Sequence, residues 1–290
     1  MSINFEQFLQ AAQKYNTIPV YERFFVDTLT PIQVFQKLHE NACYILESND
    51  QASQWANFSF IGLNPHVVLK EEQQQFIASR QNGKIIAKHK RFREALLQTI
   101  SILKPKPIDI PVPFTGGGVG YISYDGITEF DPTLEDHPHD DMNVPRFHFT
   151  FCETIIAFDH HLKEITVITH VFLQNEKEEK YLQQLYENAT DKIKQLMNFL
   201  LDGQSMSTPV FQMPTQLDDI NFDDIKTNFE KDTFLQAVEK VKSHIVNGDI
   251  SQVVLSQRFE QKISVHGLDI YRVLRVINPS PYLFYLKIND

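Results

Sequence analysis

Two short segments of this 290-residue chain join a polar head to an apolar body in a way that could bind a small molecule. The first, YILES at 44–48, is an apolar run ending in Glu47, a carboxylate able to receive an ammonium group, and Ser48, a hydroxyl able to donate a hydrogen bond. It reads equally as the terminus of an edge strand. The second, NPSPYLFY at 278–285, sets two prolines beside Tyr282 and Phe284, so backbone polar groups and aromatic faces could line a pocket for a flat apolar ligand. It reads equally as a rigid turn into a core strand.

Other reactive-looking residues have plainer readings. GGGVGYIS at 116–123 could let backbone N–H groups approach an anion, but no Lys followed by Ser or Thr comes after the glycines and GxGxxG is not matched. It is read as a strand in which small residues permit close packing. Asp131, Glu135, Asp136, His137, His139, Asp140 and Asp141 could hold a divalent metal, yet their spacing matches no calcium loop or zinc motif, and Pro132 and Pro138 mark a solvated loop. His160-His161 reads as a hairpin tip, and no Ser, Cys or Thr stands in an activating motif for nucleophilic catalysis.

The elements that must position these residues follow from periodicity and punctuation. Residues 4–15 read as a helix, 20–27 as a strand, and Thr30-Pro31 as the start of a helix to Asn41. Strands are expected at 42–48 and 58–63, and at 76–79 and 84–88 around Asn82-Gly83, whose two positions would both take positive φ. A helix at 91–103, an extended proline-spaced stretch PKPIDIPVPF, a strand pair at 147–158 and 165–172, and a helix at 176–201 complete the first part. Residues 202–227 have linker composition, with Pro209 and Pro214.

Beyond it, Phe234, Val238, Val241 and Ile245 recur at helical spacing, with Asp232 as the expected N-cap and Gly248 at a left-handed C-cap. Ile250 to Phe259 and Pro281 to Ile288 read as strands, the latter without an evident partner. Strands and helices do not alternate regularly, which favours an α+β architecture over a doubly wound sheet. The domains read as 1–201, a linker at 202–227, and a second domain at 228–290 with too few residues for a core of its own, hence a truncated domain.

Composition narrows the function classes. With 42% hydrophobic and 12% aromatic residues the chain can bury a large core, and 27 basic against 37 acidic residues give a net charge of −10 that disfavours a nucleic-acid partner. Cys43 and Cys152, each in an apolar stretch, suit buried thiols rather than a disulfide framework. No basic leader and no apolar run of bilayer length is visible, so a cytoplasmic protein without a membrane partner is expected.

The long strings NFEKDTFLQAVEKVKSHIVNGDISQVVLSQRF at 228–259 and NPSPYLFYL at 278–286, with YILES, FSFIGLNP at 58–65 and GGGVGYISYD at 116–125, closely resemble the chorismate-utilising enzymes, the component I chains of anthranilate synthases in particular. Val254 fits that subgroup, since aminodeoxychorismate synthases often have Asn there, while Ser251 departs from the aromatic residue common after GDI. The resemblance implies antiparallel sheets in a β-sandwich core with helices outside. It also implies amination of chorismate by ammonia from a partner glutamine amidotransferase subunit, then elimination of pyruvate to give anthranilate. The aminodeoxychorismate product is the alternative, and a non-catalytic tryptophan-binding module is a further one. Magnesium is implied as cofactor, with its glutamate ligands, the general-base histidine and the other catalytic residues all expected beyond residue 290, so the chain alone is expected to be inactive. The family's feedback site for L-tryptophan carries over to Ser48, Pro281, Tyr282 and Leu283, with Glu47 as the ammonium contact.

Overall fold

The computed structural model describes residues 3–48, 57–131, 133–135, 142, 144–173, 177–202 and 225–288. The chain divides into two units, Met1–Ser207 with Arg275–Asp290, and Thr208–Leu274. The helices of the first unit begin where their sequences say they should. Helix α1 (Phe5–Ala12) carries a capping box in which Asn4 Oδ1 accepts from the Gln7 N–H at 2.9 Å and Gln7 Oε1 accepts from the Asn4 N–H at 3.1 Å. Thr30 and Gln33 repeat the device ahead of α2 (Pro31–Lys37), and each such cap stabilises by about 1 kcal/mol. Helices α3 (Phe92–Leu103) and α4 (Glu179–Leu201) follow.

Among the described residues, nine antiparallel strands form one sheet that forks along its two longest members, β3 (Phe58–Glu72) and β7 (Phe147–Asp159). One half runs β1 (Thr17–Phe25), β8 (Glu164–Phe172), the end of β7, the start of β3, β2 (Ala42–Ser48) and β11 (Tyr282–Leu286). The other half pairs the end of β3 with β4 (Gln75–Arg80), which pairs β5 (Ile85–His89), and the start of β7 with β6 (Gly118–Ile122). The register shifts between Pro65 and Val67, where β3 passes from one half to the other. Proline cannot donate to the ladder and is accommodated at this irregularity, which explains why the strand runs nine residues past the expected end at Leu63.

Each half has its own core. Tyr44, Phe58, Phe60, Ile155 and Ile168 cluster beneath Ile108, Ile110, Val112 and Phe114, so the proline-spaced stretch covers one sheet face. Val67, Leu69, Phe76, Phe147 and Phe151 pack with Phe92 and Ala95 of α3. The glycine-rich segment is a strand as expected, and Gly120 is required by close approach, since a Cβ there would stand 1.8 Å from the His148 carbonyl oxygen. The 82–83 turn differs from expectation: Gly83 has φ +78 while Asn82 stays at negative φ and turns its side chain to accept from the Lys84 N–H at 3.1 Å. Cys43 and Cys152 are free and buried, and the hydrogen bond with Cys43, followed by burial, holds the Cys152 thiol well above its ordinary pKa.

In the second unit, β9 (Lys226–Thr227) pairs with β10 (Phe259–Glu260), and α5 (Lys231–Val246) starts after Glu230, which places Asp232 in the first turn rather than at the cap. Gly248 takes φ +81 as expected, and its N–H donates to Ile245 O at 3.1 Å. Of the strand expected over 250–259 only Phe259 enters a ladder among the described residues, opposite Thr227. No residue of α5 is buried, and Val246 and Val254 are 85% and 82% exposed. Helix α6 (Gly267–Ile277) begins here and ends in the first unit. The expected boundary at 202–227 falls mostly on residues outside the described set.

Candidate functional site: an aromatic cavity at the β2–β11 edge

The two segments singled out in the sequence meet. β11 adds antiparallel to β2 with Tyr282 opposite Ser48, Leu283 opposite Glu47 and Phe284 opposite Leu46. The strand that lacked an evident partner therefore pairs with the one ending in YILES. Ser48 Oγ donates to the Pro281 carbonyl at 3.3 Å, which joins the hydroxyl to the first residue of the 281–283 run.

Period-two alternation and register place Leu46, Ser48, Phe58, Phe60 and Tyr282 on one sheet face. Together with Phe114 and with Glu47 they line a cavity of about 180 Å³. Phe58 and Phe60 are stacked at 5.9 Å with their planes 11° apart, and Phe114 meets Phe60 edge-on at 5.4 Å and 83°. The cavity is an aromatic slot with a hydroxyl and an exposed tyrosine, 58% accessible, at its rim. Among the described residues no Lys, Arg or His lines it.

Glu47 lies between Leu46 and Ser48, its side chain turned to the opposite face. Its carboxylate, 9% exposed, is held by Arg275 Nε at 2.9 Å. Ser59, opposite Glu47 in the ladder, bonds His160 Nε2 through Oγ at 2.8 Å. Burial, then the Lys163 charge, lower the His160 pKa, with Arg275 acting in the same direction and Asp159 against it. At its other end β11 is tied down by Lys287, whose N–H donates to Cys43 O at 2.7 Å and whose ammonium donates to His39 O. Phe35 of α2 meets Tyr285 edge-on at 5.6 Å.

The structure thus brings Ser48, Pro281, Tyr282 and Leu283 together, and commits the Glu47 carboxylate to a guanidinium. Phe58, Phe60, Phe114 and Arg275 were not singled out from the sequence. The Phe-Ser-Phe alternation beside YILES could have indicated the first two once the strands were paired, whereas Phe114 and Arg275 enter only through tertiary structure. Within the acidic cluster, Asp131 accepts from the Thr133 hydroxyl at 2.6 Å and backbone at 2.9 Å, which lowers its pKa, and Asp136–Asp141 lie outside the described residues. Among the described residues no group of three or more His, Cys, Asp or Glu side chains could hold a metal ion. Among the described residues no helix is long and apolar enough to cross a membrane.

Comparison with known proteins bears on this geometry. Residues 41–290 match the family described as chorismate binding enzyme. Anthranilate synthase component 1 of Bacillus subtilis (strain 168) is 38% identical over 99% of this chain and 55% of its own length, and that of Geobacillus stearothermophilus is 36% identical over 97% and 56%. The crystal structure of anthranilate synthase component I from Streptococcus pneumoniae TIGR4 superposes with a TM-score of 0.53 at 26% identity, covering 88% of this chain and 52% of that one. The chain spans about half the length of the curated relatives it matches.

Proposed function

Since this chain belongs to the family of chorismate-binding enzymes, we propose that it forms the regulatory part of a cytoplasmic anthranilate synthase large subunit. The whole protein aminates chorismate with ammonia, delivered by a glutamine amidotransferase partner, and eliminates pyruvate to yield anthranilate. L-tryptophan binds the cavity at the β2–β11 edge and inhibits the reaction. The observation that carries the reading is the aromatic slot itself, in which Ser48 and Tyr282 stand opposite each other beside Phe58, Phe60 and Phe114.

The residues of the slot divide the work. Phe58, Phe60 and Phe114 offer faces and an edge to a flat ring system, and aromatic pairs of this kind contribute about 0.5–1.5 kcal/mol beyond area burial. A volume near 180 Å³ corresponds to roughly six waters at about 30 Å³ each, the scale of a single amino-acid ligand. The Ser48 hydroxyl and the backbone of Pro281 to Leu283 supply the polar rim and meet the ligand's ammonium and carboxylate, while Glu47, on the opposite face, holds β2 through Arg275. Tryptophan binding then fixes the 281–283 run against β2. A ligand regulates only by binding one arrangement of its site better than another, and a coupling of about 1–3 kcal/mol is usual. Magnesium, when bound to the whole protein, supplies charge neutralisation for the substrate carboxylate.

Incubating the full-length protein with chorismate, magnesium and ammonia tests the reaction. Anthranilate and pyruvate are the expected products, and aminodeoxychorismate without anthranilate would instead assign the protein to the neighbouring synthase. Absence of either product would favour a tryptophan-binding module.

A further inference from the structure

We infer that a second cavity, separate from the one at Ser48 and Tyr282, is a binding site for a planar aromatic carboxylate. It measures about 500 Å³ and lies between α3, the loops at 105–108 and 115–118, and the strands β7 and β8. That size falls in the roughly 300–1,000 Å³ range of small-molecule sites and is far above the voids a packed interior holds. The site does not rest on the reading of the first cavity.

Its walls are in place before any ligand arrives. The end of α3 is tied to the start of β1, with Asn16 Nδ2 donating to Ile102 O at 2.9 Å, Thr17 Oγ1 to Leu103 O at 2.6 Å, and the Lys106 N–H to Thr17 O at 2.8 Å. On the other side His170 Nδ1 donates to Glu153 O at 3.0 Å, and burial lowers its pKa, which keeps the imidazole neutral. The glycine loop packs on that ring: a Cβ on Gly116 would stand 2.6 Å from His170 Nε2, and the residue has φ +147, so only glycine closes this wall. Phe172 is held by face-to-face stacking on His66, ring centroids 3.4 Å apart and planes 3° apart.

Shape and charge define the occupant. Leu96, Ile100 and Leu103 of α3 line one side, and Phe149, Phe151 and Phe172 supply aromatic surface for a flat ring. Such a lining gives water few hydrogen-bond partners, so the space suits an apolar body. Among the described residues no Asp or Glu lines the cavity, and Lys106 is the one of them in its lining that carries a formal charge at neutral pH. Its ammonium donates to Pro107 O at 3.2 Å, which holds it by the cavity with two further protons to offer. An anionic group on the ligand is met there, and a cationic one is repelled.

Calorimetric titration of the full-length protein with 2-naphthoate and its neutral counterpart 2-naphthamide tests the site. Both probes should bind the unsubstituted protein, and Ile100→Trp, which fills the cavity from a partly exposed position, should weaken both by more than about tenfold, the equivalent of 1.4 kcal/mol. Leu96→Phe, a smaller intrusion, should act in the same direction if Ile100→Trp fails to fold. Lys106→Gln should weaken 2-naphthoate about tenfold and leave 2-naphthamide unchanged, as expected for one charge-assisted hydrogen bond. Ser48→Arg should leave both affinities unchanged. The proposal is overturned if neither probe binds, if both filling variants bind 2-naphthoate normally, or if Ser48→Arg abolishes binding and so places the probe in the other cavity.

Discussion

Removing the Arg275 side chain should loosen β11 from the sheet. The Glu47 carboxylate is 9% exposed and the Arg275 side chain 33%, with Nε 2.9 Å from Oε2. Breaking a fully buried pair costs about 3–5 kcal/mol, because the remaining charge is left desolvated, while exposed pairs are worth about 0–1 kcal/mol. A pair with one partner buried and one a third exposed lies between, so Arg275→Ala should cost about 2–3 kcal/mol. The loss is local, since Glu47 faces Leu283 in the ladder and Arg275 lies only a few residues before β11. Native-state hydrogen exchange reads it at the right place, for example at the Lys287 amide, which donates to Cys43 O. At 1.4 kcal/mol per tenfold, exchange in the 283–287 segment should accelerate by about 30- to 150-fold, while α4 amides stay unchanged. A cycle with Glu47→Gln should give a coupling energy above about 1 kcal/mol. Exchange within about twofold of the unsubstituted protein, or a coupling below about 0.5 kcal/mol, would refute the assignment of this pair as the anchor of β11.

Three further outcomes follow from other sites. Burial, then the Arg80 charge, depress the His66 pKa from 6.5 to about 4, so the unfolded chain takes up this proton first. His66 therefore contributes stability that is complete above pH 6.5 and is lost as pH falls toward 4. Melting curves of the protein and of His66→Phe between these limits should diverge by roughly 2 kcal/mol after allowance for partial solvent contact, and parallel curves would contradict the burial argument. Gly120→Ala forces a Cβ onto the His148 carbonyl and should destabilise by more than about 3 kcal/mol, whereas Gly83→Ala meets nothing within 4 Å and should cost only about 1–2 kcal/mol of backbone strain. Equal melting temperatures for the two variants would count against the close approach of β6 to β7. Neither Cys43 nor Cys152 should react with an aromatic disulfide reagent in the folded protein, and both should react in denaturant, because each thiol is buried. Rapid labelling without denaturant would contradict that burial.

Local signals were legible wherever a residue's own chemistry decides the outcome. Thr30 before Pro31 capped α2, Gly248 ended α5 in the left-handed region, and the glycine-rich segment proved to be a strand rather than an anion loop. What stayed hidden depends on partners distant in sequence. The strand expected at 58–63 continues to Glu72 because β7 and β4 flank it and a bulge absorbs Pro65. Ile250 to Leu255 has strand composition but enters no ladder among the described residues, since strand propensity depends on the partners a segment meets. The candidate site divides the same way. Ser48 and Tyr282 were suggested by their own segments, but Phe114 reaches the cavity through a crossing loop, and the engagement of Glu47 by Arg275 is fixed by tertiary structure.

The most direct test is titration of L-tryptophan into the full-length protein and its Ser48→Arg variant, with anthranilate formation followed in parallel. Tryptophan should bind the unsubstituted protein and suppress turnover. In Ser48→Arg, where bulk and charge enter the slot, affinity should fall by at least about 100-fold, some 2.7 kcal/mol, and turnover should persist at tryptophan concentrations that stop the unsubstituted protein. Equal tryptophan affinity and equal inhibition in the two proteins would contradict it.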